Sequence, residues 1–141
     1  MNDLEKAKKL LTDNGYTLVL CKGDTIYTSN DRGVSPMLKL IEDGTDLKGF
    51  SAADKVVGRA AAMLFVLAEI KELHTQVISR PAAELLKYHG ITFSYDEITE
   101  MIINRSGDGG CPMELAVLDI TDPREGHKAI IMRLSQLRKE K

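Results

Sequence analysis

The sequence ELHTQVISRPAAELLKYHGITFSYD, residues 72–96, decides the fold because it reads as strand, turn, helix and strand. Residues 73–78 are apolar and β-branched, and residues 91–95 form a second extended run. Between them, Ser79 at the N-cap position with Pro81 close behind marks the start of a helix. Two strands that flank one short helix predict a parallel βαβ unit, which needs a larger sheet around it.

The composition is that of a single globular domain spanning residues 1–141, with 43% hydrophobic residues. The formal net charge is only -2, from 19 basic and 21 acidic side chains, so neither nucleic acid nor an anionic membrane surface is an expected partner. The uncharged run at residues 60–68 is far shorter than the roughly 20 residues that span a bilayer. Cys21 and Cys111 lie in unlike contexts, which favours a reducing cytoplasm over a disulfide framework.

The N-terminal third predicts a helix and a hairpin. Helical spacing of apolar residues predicts a helix over residues 3–14, which ends at Gly15. Two strand-like runs, residues 16–21 and 25–28, are joined by a turn short enough to make them an antiparallel hairpin. A short helix is then predicted from Ser35 onward.

The run from residue 52 to about residue 71 is predicted to be a central buried helix, because it is apolar almost all round. Ser51 followed by Asp54 resembles a capping box at its start. Glycine inside a helix is about 1 kcal/mol less stable than alanine, so Gly58 needs another reason to be there. We expect a group to pack closely against it.

The C-terminal third predicts a glycine-rich loop at residues 104–110, followed by a helix that starts at Pro112 and ends near residue 120. Residues 98–103 fit a strand or a helix equally well. A last amphipathic helix follows Pro123, with Ile130, Leu134 and Leu137 on its apolar face.

This order of elements resembles the cytidine-deaminase-like fold, and residues 72–85 resemble the segment that carries a Pro-Cys-x-x-Cys motif in that family. The resemblance implies a three-layer α-β-α sandwich with a mixed sheet and an N-terminal antiparallel hairpin. The proline of the motif falls on Pro81, but its two cysteines fall on Ala82 and Leu85, and the first zinc ligand falls on Ala52. Because none of the three ligands is present, we expect no metal, no cofactor and no zinc-dependent deamination. As a whole, the chain is similar to a small prokaryotic family known only as a domain of unknown function.

The fold so predicted brings two helix N-termini together at one end of the sheet, where unsatisfied N–H groups attract anions. We therefore predict a small, anionic or nucleotide-like ligand there, with the glycine-rich loop closing over it. Asp54 and Cys111 are the candidate catalytic residues. The candidate ligand-binding residues are Lys55, Ser79, Arg80, Pro81, Asn104, Gly109, Gly110 and Glu114. In the simpler alternative, Asp54 caps its own helix and Arg80 is a surface charge.

Two other functions stay open. A thiol at a helix start has its thiolate favoured, so Cys111 is a candidate nucleophile for sulfur or acyl transfer, although Glu114 one turn later opposes that charge. Cys111 is equally well explained as an ordinary capping residue, and Cys21 as a core residue. The third hypothesis is an interaction module that dimerises through the apolar face of the last helix.

Overall fold

The computed structural model describes residues 1–101 and 112–139. The chain forms a mixed α/β fold with five strands in one open sheet. In order, its elements are α1 (Asp3–Asn14), β1 (Leu18–Lys22), β2 (Thr25–Ser29), α2 (Ser35–Glu42), β3 (Ser51–Val57), α3 (Arg59–Leu67), β4 (Glu72–Ser79), α4 (Arg80–Tyr88), β5 (Thr92–Thr99), α5 (Pro112–Ala116) and α6 (Pro123–Lys139).

The strands lie in the order β2-β1-β3-β4-β5. The predicted hairpin is confirmed, since β1 pairs antiparallel with β2. Strand β1 is also antiparallel to β3, whereas β3, β4 and β5 run parallel to one another. The predicted βαβ unit is confirmed as β4-α4-β5, and β3-α3-β4 forms a second one. Both helices therefore begin at the same edge of the sheet, where the parallel strands end.

Each face of the sheet carries its own apolar cluster. Helix α1 packs Ala7 and Leu11 against Val19, Cys21 and Ala53 on one face. The larger cluster, on the other face, joins strand residues to α3, α4 and the C-terminal elements; its largest fully buried members include Phe65, Leu20, Met63, Leu64, Leu73 and Ile78. Burial of one such side chain contributes about 1.5–3 kcal/mol to stability. Cys21 is a core residue, as predicted.

The predicted helix over residues 52–71 is wrong in its first third. Residues 51–57 form β3, a central strand between β1 and β4, and α3 begins only at Arg59. Ala52 and Ala53 suggested a helix because alanine is the best helix former. In the sheet, the same two small side chains face opposite apolar clusters. The pair Val56-Val57 followed by Gly58 was the local signal for a strand that ends in a turn.

The C-terminal elements differ from prediction mainly in their length. Residues 98 and 99 belong to β5, which resolves their ambiguity in favour of a strand, and α5 ends at Ala116 rather than near residue 120. Helix α6 lies as predicted after Asp122. Within residues 1–101 and 112–139, no helix is long and apolar enough to cross a membrane.

Candidate functional site

Helices α3 and α4 start side by side, because each follows directly from one of two neighbouring parallel strands. Val57 at the end of β3 pairs with Ile78 near the end of β4. Gly58 is the N-cap of α3 and Ser79 is the N-cap of α4. The first N–H groups of a helix have no partner within the helix, so both helices direct unsatisfied donors to the same region.

The Glu114 carboxylate of α5 occupies the junction of these two helix starts. It accepts hydrogen bonds from the backbone N–H of Arg59 at 2.6 Å and of Ala60 at 2.7 Å. The Ser79 hydroxyl lies 3.5 Å from the same carboxylate. Glu114 is buried, and a buried carboxylate is tolerated only when its oxygens are hydrogen-bonded. We refer to Gly58, Arg59, Ala60, Ser79 and Glu114 as the helix-start cluster.

The absence of a side chain at Gly58 leaves the space that the Glu114 carboxylate occupies. A Cβ atom added at Gly58 would lie 2.4 Å from the carboxylate carbon, well inside van der Waals contact. The backbone at Gly58 is extended, with φ at -95°, so its conformation alone does not require glycine. The expected close packing against Gly58 is confirmed, and the packing group is a side chain 56 positions later in the sequence.

The Arg59 guanidinium fastens the segment after α5 to the helix starts. Its Nε donates to the carbonyl of Val117 at 2.9 Å, and its Nη1 donates to the carbonyl of Pro81 at 3.0 Å. Nη2 donates to the carbonyl of Ile120. Arg59 is buried, so these three carbonyls replace the water that an exposed guanidinium would bind.

The structure brings together Ser79, Pro81 and Glu114 of the predicted site residues. Arg80 is at the start of α4, but its exposed guanidinium pairs with Glu100, whose oxygen lies 2.9 Å away. This pair raises the pKa of Arg80 and lowers that of Glu100. Cys111, Asn104, Gly109 and Gly110 lie outside the described residues.

Asp54 is not part of the helix-start cluster, contrary to the prediction. It lies in β3 opposite Thr75 of β4, and Ser79 is four residues, or roughly 13 Å, further along that strand. The predicted match of residues 52–54 to the first zinc-ligand motif therefore fails, because these residues are in a strand. Within the described parts of the chain, no three His, Cys, Asp or Glu side chains are placed to hold a metal ion, so the residues at the helix starts do not fit zinc.

Asp54 and Lys55 instead line an open cleft of about 330 Å³ beside the carboxyl-terminal half of β3. The polar lining also includes Arg32, from the loop between β2 and α2. The remaining lining residues are Thr17, Leu18, Asp31, Gly33, Pro36 and Val56. The cleft lies between the antiparallel strands β1 and β3, towards the carboxyl end of β3. Ligands of open α/β sheets commonly bind outside the carboxyl ends of strands.

A second cavity of about 220 Å³ adjoins the first and shares Leu18, Asp31 and Pro36 with it. Its lining is largely apolar and includes Leu20, Tyr27 and Leu40. At its rim, the Lys39 ammonium lies 2.8 Å from the Asp31 carboxylate, which raises the pKa of Lys39. We refer to the two cavities together as the β1–β3 cleft.

Asp54 has a strongly perturbed pKa. Burial raises its pKa from 3.8 to about 7, and hydrogen bonds from the backbone N–H groups of Val56 and Lys55 oppose that rise. The bond from Val56 is long, at 3.4 Å. Asp54 forms none of the ion pairs found among residues 1–101 and 112–139. A carboxyl group with a perturbed pKa in a cleft is a candidate functional group.

Comparison with known proteins places this chain in a family. The family described as "TM1506: Domain of unknown function (DUF1893)" matches residues 6–133. The chain belongs to DUF1893. The chain is also similar to a DUF1893 family protein (TM1506) from Thermotoga maritima, which has been solved by crystallography. The two are 34% identical, the match covers 96% of this chain and 90% of that one, and the TM-score is 0.84.

Comparison with curated proteins gave no match. The match to DUF1893 confirms the prediction that the chain belongs to a family of unknown function. The description of that family names no activity.

Arg59 and the β1–β3 cleft were missed at the level of the sequence. Arg59 is the one charged residue in the otherwise apolar sequence of α3, and a charge in a buried helix needs hydrogen-bond partners, which was the available signal. The cleft joins strands β1, β2 and β3 with helix α2 and the loop after β2, and no local pattern indicates that these segments meet.

Proposed function

We propose that this DUF1893 protein is a small-molecule-binding domain whose ligand lies in the β1–β3 cleft. The observation that carries this proposal is a two-part cleft, with an apolar part beside Tyr27 and a polar part beside Lys55. Ligand pockets are typically apolar concavities of a few hundred Å³ with a small number of placed polar groups. A cleft with this lining fits a ligand that has a flat apolar body and an anionic group, as nucleotides do.

Cations on three different elements support an anionic group on the ligand. Lys55 is on β3, Arg32 is in the loop after β2, and Lys39 is on α2. Lys39 already pairs with Asp31. Lys55 and Arg32 are exposed and form no ion pair with a described residue, so they are the two that we assign to the ligand.

The helix-start cluster is a less suitable ligand site. Its donors already bind the Glu114 carboxylate at 2.6 and 2.7 Å, so an external anion would have to displace a buried side chain. Ligand contacts to Ser79, Pro81 and Glu114 therefore depend on such a displacement. The β1–β3 cleft needs none.

We further propose that the fold is a cytidine-deaminase-like three-layer sandwich. The strand order β2-β1-β3-β4-β5, with a hairpin first and two parallel βαβ units after it, supports this assignment. So do apolar clusters on both faces of the sheet. The likeness concerns architecture and carries no activity with it.

A thermal-shift screen tests the ligand proposal. The purified protein is heated with each member of a panel of nucleotides, aromatic carboxylates and inorganic phosphate. A compound that binds is expected to raise the melting temperature, and the rise grows with the ratio of its concentration to its Kd. Lys55→Ala and Arg32→Ala are expected to abolish the shift. Lys71→Ala, which removes an exposed lysine just before β4, is the matched control and should leave the shift intact. An absence of any shift across the panel would refute the proposal.

The two alternative functions are thiol chemistry at Cys111 and dimerisation through the last helix. Cys111 as a nucleophile stays a prediction, and the pH dependence of its alkylation tests it, because a rate that follows a pKa near 8.5 leaves no activated thiolate. Dimerisation through the last helix also stays a prediction, to be tested by concentration-dependent sedimentation. Ile130 is completely buried, and Leu134 and Leu137 pack against the core, so the apolar face of α6 is used within the chain.

A further inference from the structure

We propose that Asp54 binds the ligand of the β1–β3 cleft as a neutral carboxylic acid and donates a hydrogen bond to an oxygen atom of that ligand. This inference rests on the proposed function and adds a specificity-determining residue to it. It also identifies the ligand more narrowly, as a molecule that carries a hydrogen-bond acceptor close to its anionic group.

The position of Asp54 is the first argument. Its neighbours across the sheet are Leu18 on β1 and Thr75 on β4, neither of which carries a charge. Its carboxyl group accepts from backbone N–H groups of its own strand, and the bond from Val56 to Oδ1 is long, at 3.4 Å. The side chain lines the cleft, so its hydrogen-bonding capacity is directed to whatever occupies that space.

The charges around Asp54 supply the second argument. Lys55 and Arg32 line the same cleft and attract an anion to it, while Asp31 is neutralised by Lys39. No described cation is paired with Asp54 itself. An ionised Asp54 would repel the anion that the neighbouring cations attract, whereas a protonated Asp54 removes the repulsion and adds a donor.

Burial acts in the same direction. It raises the pKa of Asp54 to about 7, so that near neutral pH the protonated form is already populated before a ligand arrives. Bound anion raises the population of that form further, and the protein takes up a proton on binding. Ligand affinity is therefore expected to fall as pH rises through neutrality.

The test uses two probes that do not titrate near neutral pH, cyclic AMP and benzoate, each of which has an aromatic body and a single anionic group. Binding to the full chain is measured by ligand-detected NMR between about pH 6 and pH 8. Wild-type affinity is expected to fall about tenfold over that range, as expected if only the neutral form binds. Asp54→Asn offers an amide donor at every pH and should keep the affinity that the wild type has at the acidic end. Asp54→Ala should bind weakly throughout.

Each outcome has a distinct meaning. Binding that Lys55→Ala abolishes but that does not vary with pH, or an Asp54→Asn variant no better than Asp54→Ala, would overturn the role of Asp54 and leave the ligand site standing. Failure of both probes and of the whole screening panel would remove the ligand site and this inference together. Because the chain also contains three histidines, loss of the pH dependence in Asp54→Asn is the result that assigns it to Asp54.

Discussion

The helix-start cluster and the β1–β3 cleft each contain a carboxyl group, buried in Glu114 and partly buried in Asp54, but the two groups have different surroundings. Glu114 receives two short hydrogen bonds from backbone N–H groups, and its side chain fills the space that Gly58 leaves. Asp54 receives a long bond, 3.4 Å, from the N–H of Val56 and borders an open space. Convergent donors alone therefore do not mark a ligand site. What matters is whether the chain already satisfies them.

The largest expected effect comes from Glu114→Ala, which tests whether the helix-start cluster is a structural junction. Loss of the carboxylate leaves the N–H groups of Arg59 and Ala60 buried without their acceptor, and we expect a loss of about 3–5 kcal/mol in the free energy of unfolding. Urea denaturation measures it. Glu84→Ala, which removes an exposed glutamate on α4, is the control and should change stability little. A variant within about 1 kcal/mol of the wild type would mean that the junction contributes little to folding.

Within the helix-start cluster, Gly58→Ala should have the next largest effect. Its Cβ would overlap the Glu114 carboxylate, and we expect a loss of about 1–3 kcal/mol, since overpacked positions typically show this range. The double variant Gly58→Ala with Glu114→Ala isolates the contact. There, the added methyl group meets no carboxylate, so Gly58→Ala should have almost no further effect on the urea midpoint. Full additivity would show that the penalty arises elsewhere.

Asp54→Asn tests the carboxyl group of the β1–β3 cleft through the pH dependence of stability. The pKa of Asp54 is about 7 in the folded chain against 3.8 as its ordinary value, so the folded state holds a proton that the unfolded state has lost between those pH values. The wild type should therefore lose stability as pH rises from about 4 to about 7, on the order of 2–4 kcal/mol in total. Asp54→Asn should not show this fall and should be the more stable protein above neutral pH.

The same pH series with Asp119→Asn, at an exposed position, provides the matched control, since it should follow the wild type. Equal pH dependence in the wild type and in Asp54→Asn would place the titrating group elsewhere.

The smallest effects on stability are expected at the two exposed cations that the sequence placed in one site. Arg80 pairs with Glu100 at the surface, so Arg80→Ala should leave both the unfolding midpoint and ligand binding almost unchanged. Lys55→Ala should also unfold as the wild type does but should no longer bind ligand. The pair is compared in one thermal-shift experiment. Loss of binding in Arg80→Ala would instead indicate that the ligand binds at the helix starts.

Prediction from the sequence succeeded where a local signal decides the structure. The hairpin, the β4-α4-β5 unit and the bounds of α1 follow from turns and caps within a few residues. The Ser79 side chain, for example, accepts from the N–H of Ala82 at 3.2 Å, and Gly15 adopts a φ of 67° where α1 ends. The idea of two adjacent helix starts was also correct, although the first of them is Arg59 rather than Ala52.

Prediction failed where a residue's environment comes from distant segments. Ala52 and Ala53 favour a helix, but a central position between β1 and β4 gives residues 51–57 sheet partners on both sides. The assignment of Asp54 to a helix start failed with them. Likewise, Gly58 in the sequence predicted a close contact, but nothing near it in the sequence indicated that Glu114 makes this contact.

The sequence by itself thus determined the order of elements, the turn at Ser79 and the absence of zinc ligands at the motif positions, because caps, turns and residue types are properties of short segments. Only the tertiary structure decided that the helix starts are closed by Glu114 and that Asp54 borders an open cleft. Arg59 and Glu114 are 55 residues apart, and their hydrogen bond exists only because two strands of the sheet end side by side. Burial and hydrogen-bond satisfaction depend on which surfaces meet, and that is a property of the whole folded chain.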